Sequence, residues 1–194
     1  MTKTRSRTRF TLAALTLGLT ASLSLPAPTA EARIGGQVPP FELPAAVGGP
    51  SSEPFSIGEH LGKDPVIILF WATWCGPCRL ELPFYEALYK KYESQGLRVV
   101  AISMDSQDTV MQAGPAARRL GISFDVVTDV DTRVTSQINP RRSAPFSIWV
   151  NREGRIVWEN EGFSPAEQGR ISKGVKELMA TPAKAEAEDA TSKS

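Results

Sequence analysis

The chain has 194 residues, 41% apolar and 22% charged, with a formal net charge of +1. That length suits one globular domain and is short for two. The near-neutral balance, without a basic stripe interleaved with aromatics, argues against a nucleic-acid-binding surface. Its charge is unevenly placed, because Lys3, Arg5, Arg7 and Arg9 all precede the first acid, Glu31. Setting aside residues 1–32, which hold four bases and one acid, leaves 18 basic and 20 acidic side chains. The remainder therefore has no excess of positive charge to draw it to anionic lipid.

The N-terminus has the layout of an export signal. Residues 10–25 are apolar or small and uncharged, Pro26 and Pro28 break any helix, and Ala30-Glu31-Ala32 has the small-x-small form that signal peptidase accepts. Residues 1–32 are thus expected to be a signal peptide cleaved after Ala32, with Ala30 the second choice. The competing reading is an uncleaved anchor. Its apolar stretch of 16 residues, diluted by threonine and serine, falls short of the roughly 20 that a span needs. The stretch lacks an Arg-Arg pair, which favours the general secretion route, and it has no cysteine to carry a lipid.

Residues 33–180 read as one folded domain. The lead-in, residues 33–54, is rich in Gly and Pro and predicts extended chain with a short strand near Phe41-Glu42-Leu43. After Pro65 comes the unbroken apolar run Val66-Ile67-Ile68-Leu69-Phe70-Trp71, which suits a central strand covered on both faces. From 76 to 94 the period becomes helical, with Phe84, Tyr85, Leu88 and Tyr92 on one face and Pro83 inside, where it should bend the axis. Residues 97–103 predict a second buried strand, 106–120 a weaker helix interrupted at Gly114-Pro115, and 124–127 a third strand. Residues 146–150 and 155–158 predict a hairpin joined by 151–154. In Ser164-Pro165-Ala166-Glu167, an N-cap serine, a proline at the first helical position and a glutamate three residues on mark the start of the last helix. Residues 181–194 contain no large apolar side chain and are expected to be a disordered tail. This order of elements predicts an α/β fold with a mixed β-sheet and helices on both faces.

Only two cysteines are present, and they stand three apart, in Trp74-Cys75-Gly76-Pro77-Cys78. A bridge across two residues removes little unfolded-state entropy, so a stapling role is weak. The pair follows a buried strand and opens a helix. There the unpaired N–H groups and the positive end of the helix dipole favour thiolate over thiol. Lowering a thiol pKa from about 8.5 to about 7 takes only roughly 2 kcal/mol. Cys75 is then the attacking thiol, and Cys78, almost one turn on and less exposed, resolves the mixed disulfide. A structural zinc site needs four ligands, whereas the chain offers two cysteines and one histidine, His60.

Residues 70–83, Phe-Trp-Ala-Thr-Trp-Cys-Gly-Pro-Cys-Arg-Leu-Glu-Leu-Pro, resemble the active-site block of the TlpA/ResA/CcmG branch of the thioredoxin superfamily. The resemblance in element order runs from about 36 to 178. It implies a thioredoxin fold with a TlpA-like N-terminal extension and an exported thiol–disulfide oxidoreductase. It also implies that Pro145 is the superfamily's cis-proline, presenting the Ala144 backbone to the substrate strand. Trp74, Gly76 and Pro77 would join Ala144 and Pro145 in binding substrate, with Trp71 plain core. Glu81 would exchange protons with Cys78. Cytosolic thioredoxins use an acid six residues before the first cysteine, where this chain has Leu69, which leaves Glu81 as the only acid for that task. One departure precedes the cis-proline. There Ile138-Asn139-Pro140-Arg141-Arg142-Ser143 replaces the usual glycine-containing lead, and the two arginines read as a solvated loop or a selector of acidic partners.

The implied function is reduction of disulfides in exported proteins, of the kind needed in cytochrome c maturation. No metal or other cofactor is expected. The expected partners are a disulfide-bearing exported protein and a membrane electron donor of the CcdA/DsbD type, with the protein itself monomeric and periplasmic or tethered outside the cytoplasm. Two alternatives share the fold. A peroxiredoxin-like peroxidase would need a Pro-x-x-x-Thr-x-x-Cys arrangement that is missing, and a Sco-like copper module would need a histidine better placed than His60.

Overall fold

A computed structural model describes residues 34–181; the expected signal segment and all of the expected tail except Thr181 lie outside the described residues. In the lead-in, β1 (Glu42–Leu43) and β2 (Phe55–Ser56) pair antiparallel as a separate small sheet. The apolar run is β3 (Val66–Trp71), buried at all six positions and central in a five-stranded sheet. On one side, β4 (Arg98–Ser103) runs parallel to β3, and β5 (Asp125–Thr128) parallel to β4. On the other, β6 (Phe146–Val150) lies antiparallel to β3, and β7 (Ile156–Glu161) completes the hairpin. The mixed sheet is the expected one.

The two-residue period of β3 divides the core. Ile67, Leu69 and Trp71 face α1 (Cys78–Tyr92) and α4 (Gln168–Ala180), together with Ala113 and Ala117 of α2 (Ala113–Arg119). Val66, Ile68 and Phe70 face the lead-in residues Val38, Phe41, Phe55 and Ile57, and Val134 and Ile138 of α3 (Arg133–Ile138). Each fully buried side chain of this size stabilises by roughly 1.5–3 kcal/mol. The lead-in therefore acts as a layer over the second face of the sheet.

Several boundaries differ from expectation. The first helix begins two residues later than predicted and ends in a 3₁₀ turn, Glu93–Gln95, closed by Gly96 at φ +96°. That left-handed position favours glycine. Gly114 and Pro115 do not interrupt a helix but sit in the first turn of α2. A proline there gives up an N–H that has no intrahelical partner. At Gly114 a Cβ would overlap the carbonyl oxygen of Val47, where the lead-in crosses α2. The third strand starts one residue later, and the second hairpin strand runs on to Glu161.

The sequence reading missed α3 because its cap comes from outside the helix. The buried Asp129 carboxylate accepts the N–H groups of Val134 (3.3 Å) and Thr135 (2.6 Å), while Thr132 at the N-cap position has φ +56°. The capping box at Ser164 and Glu167 is present, although its first turn is 3₁₀ and α4 follows it. That last helix lies directly on the Trp149 ring, which stacks on Trp158 at 4.5 Å.

Candidate active site

Past the end of β3 the chain turns through Ala72, Thr73 and Trp74, and the Cys75 N–H closes that turn on the Ala72 carbonyl at 3.0 Å. Cys75 and Cys78 are joined in a disulfide with their Cα atoms 5.4 Å apart. Cys75 was expected at the helix N-terminus itself. It lies three residues ahead, since α1 starts at Cys78 with Pro77 as N-cap. The helix reaches it through one hydrogen bond: the Cys78 N–H, one of the first-turn donors with no helical partner, donates to the Cys75 sulfur at 3.3 Å. A donor there favours negative charge on that sulfur.

Exposure separates the neighbours. Cys78 is 0% exposed and Cys75 3%, whereas Trp74 is 65% exposed beside them. Trp74 is therefore not core, while Trp71, at 1%, is. Gly76 and Pro77 are exposed at the tip of the turn.

One turn into α1 and on the Cys78 face, Glu81 is 1% exposed. Burial pushes its carboxyl up to about 8, with a smaller push from the negative charge of Glu167. Its Oε2 has no hydrogen-bond partner. Below it, the Tyr85 hydroxyl accepts the Trp149 indole N–H at 3.3 Å. That phenol is raised above its ordinary range by burial first and by Glu81 second. Leu69, at the alternative acid position, is fully buried apolar core.

Glu81 is not the only buried acid around the motif. Asp105, just beyond β4 and 1% exposed, accepts the Thr73 N–H at 2.9 Å, the Thr73 hydroxyl at 2.5 Å and the Ser103 hydroxyl at 2.8 Å. From the opposite side, Arg79 Nη2 donates to the Thr73 carbonyl at 3.2 Å. Thr73 is thus held at three polar atoms two residues before Cys75. An aspartate following the carboxyl end of a buried parallel strand, where sites in α/β sheets gather, was the available signal.

The Ala144–Pro145 bond is cis, as the resemblance implied, and Ala144 packs against the apolar cluster that contains both cysteines. Asn139, which sequence reasoning passed over, shapes the loop before it. Its amide donates to the Ser143 carbonyl at 2.9 Å, and its carbonyl accepts the Ser143 N–H at 3.1 Å. The two loop arginines are exposed and make surface contacts. Arg141 pairs with Glu161 at 3.4 Å, and Arg142 donates to the hydroxyls of Thr132 and Ser136, each at 3.3 Å. His60 sits ahead of β3, bonded to Asp64 at 2.9 Å and stacked on Phe55, at the opposite end of that strand from the cysteines. The pairing that a copper module would need is therefore not assembled. Among the described residues, no group of three or more His, Cys, Asp or Glu side chains could hold a metal ion.

The AhpC/TSA family matches residues 34–159. The chain belongs to that family. The chain is 32% identical over 148 residues to the thiol-disulfide oxidoreductase ResA of Halalkalibacterium halodurans, covering 76% of each protein. Identity to ResA of Bacillus cereus is 28% over 138 residues, or 70% of this chain and 74% of that one. The fold is similar to that of a putative thiol:disulfide interchange protein DsbE from Chlorobium tepidum, with TM-score 0.67 and 24% identity over 76% of this chain and 99% of that one. Combined with the paired cysteines at the strand–helix junction, these relationships make this AhpC/TSA-family chain a thiol–disulfide oxidoreductase.

Proposed function

We propose that the protein is a protein-disulfide reductase for exported substrates, with Cys75 the attacking and Cys78 the resolving thiol. The observation that carries this reading is the asymmetry of the pair. Cys75 is the less buried, its sulfur takes the helix-terminal N–H, and Cys78 is fully buried about one helical turn from a buried carboxyl group.

In the reduced protein the Cys75 thiolate attacks one sulfur of the substrate disulfide. That bond breaks, one substrate thiolate leaves and takes a proton from water, and a mixed disulfide remains. The Glu81 carboxylate then takes the Cys78 proton, and the Cys78 thiolate attacks the Cys75 sulfur. The second substrate thiolate leaves, two electrons have passed to the substrate, and the proton stays on Glu81. A carboxyl pushed up to about 8 suits this role, because its pKa is then close to the thiol's ordinary value of about 8.5 and the proton exchange with Cys78 is nearly balanced. Exposed Trp74, with Gly76, Pro77 and the Ala144–Pro145 cis segment, forms the face that meets the substrate.

The Gly76-Pro77 pair between the cysteines matches thioredoxin, whose potential is about −270 mV, rather than the oxidant DsbA at about −120 mV. The basic and apolar N-terminus supports a site of action outside the cytoplasm, with a membrane dithiol of the CcdA/DsbD type restoring the reduced state. Two measurements test the reading. Equilibration with glutathione and dithiothreitol buffers should place the potential near that of thioredoxin. Cys78→Ser should accumulate mixed disulfides with exported proteins, while Cys75→Ser should trap few. Equal trapping by both variants would refute the assignment.

A further inference from the structure

A cleft of about 210 Å³ opens on the flank of the active-site turn, between the end of β3, the start of α1 and α2. Its polar wall groups are Thr73, Arg79, Gln112 and Arg119, with the Trp71 ring behind them. No carboxylate lines it. Among the described residues, neither Arg79 nor Arg119 lies within ion-pair distance of an acid, whereas Arg98, Arg141 and Arg170 each have one. Arg79 uses one nitrogen on the Thr73 carbonyl and keeps its other donors free. The indole N–H of Trp71 is buried and has no acceptor. Two arginines and an amide therefore line one small space that no carboxylate lines, the buried Asp105 being engaged behind it on Thr73 and Ser103.

We propose that this cleft is a carboxylate subsite, receiving an Asp or Glu side chain that neighbours the attacked cysteine in a polypeptide substrate. Planar guanidinium forks match a carboxylate through paired, charge-assisted hydrogen bonds. Position selects the source of the carboxylate. Thr73 stands two residues before Cys75, and Arg79 directly follows Cys78. A group seated in the cleft is therefore carried by whatever chain presents its disulfide to Cys75. The inference rests on the reading that Cys75 attacks polypeptide disulfides. It also places acidic-partner selection at Arg79 and Arg119 instead of at Arg141, which pairs with Glu161, and Arg142, which donates to Thr132 and Ser136.

The test uses two synthetic disulfide peptides that differ only by Glu or Gln two residues from one cysteine. Reduction by the reduced wild-type protein is followed at low salt. The Glu peptide is expected to have a kcat/KM about two- to fivefold above the Gln peptide, the range for one partly exposed ion pair. Arg119→Gln should bring that ratio to about one, and added salt should lower it in the wild type. Lys176→Gln, which removes an equal charge from the exposed side of α4, should keep the wild-type ratio. Equal rates for both peptides in the wild type, or a preference that survives Arg119→Gln, would overturn the subsite. If the reduced wild type reduced neither peptide, the reductase reading itself would fail, a result distinct from loss of the preference.

Discussion

Replacing Glu81 with Gln tests the buried carboxyl directly, because the side chain keeps its shape and loses its titration. In the unfolded chain this group has its ordinary value of 4.5, and in the folded disulfide form it stands at about 8. Below about pH 4 both states hold the proton, and the group adds no pH dependence. As pH rises past 4.5 the unfolded chain releases its proton while the fold retains it, so stability falls until the folded group also ionises near 8. At about 1.36 kcal/mol per pH unit, the loss across that window is on the order of 5 kcal/mol. The group is almost wholly buried, so solvent screening reduces this little. Against a domain stability of roughly 5–15 kcal/mol, the effect is large. Guanidinium unfolding of both proteins, disulfide intact, measured from about pH 5 to about pH 9 spans the window. The variant should be close to the wild type at the acid end and more stable by several kcal/mol at the alkaline end. Superimposable pH profiles would refute the argument that burial sets this carboxyl. In turnover assays near neutral pH, the same variant should slow resolution by Cys78 and spare the first attack by Cys75.

Asp105→Asn leaves one carbonyl oxygen where a carboxylate now takes three hydrogen bonds. A cost of about 1–3 kcal/mol in unfolding free energy is expected, together with an altered rate of Cys75 alkylation; unchanged values of both would remove Asp105 as a positioning residue. Gly174→Ala would bring a methyl to 2.8 Å from the Trp149 ring. Denaturant unfolding should show a loss of about 1–3 kcal/mol from overpacking, and a neutral result would mean that α4 shifts freely on the sheet. Mature protein recovered from outside the cytoplasm should begin at Arg33 or Glu31 by N-terminal sequencing, and an intact Met1 on soluble cytoplasmic protein would contradict export.

Much of the architecture was legible because its signals are local. The six apolar residues after Pro65 suit a strand covered on both faces, and the capping box at Ser164 announces a helix within four residues. The Cys-Gly-Pro-Cys spacing at a strand-to-helix change likewise identified the reactive pair. What the sequence could not decide depends on groups brought together from distant parts of the chain. Asp105 meets Thr73 across 32 residues, and Asp129 caps α3 from outside that helix, so neither leaves a periodic trace. The same holds for the lead-in. Its scattered Val38, Phe41, Phe55 and Ile57 read as extended chain until the sheet supplies the face they cover. Arg119 and Arg79 are ordinary surface residues in the sequence, and only the packing of α2 beside the active-site turn sets them around one cleft. Glu81, too, looked like any helical glutamate apart from the resemblance. Its altered chemistry comes from the desolvation imposed by the surrounding fold, a property of the assembled core that no local pattern encodes.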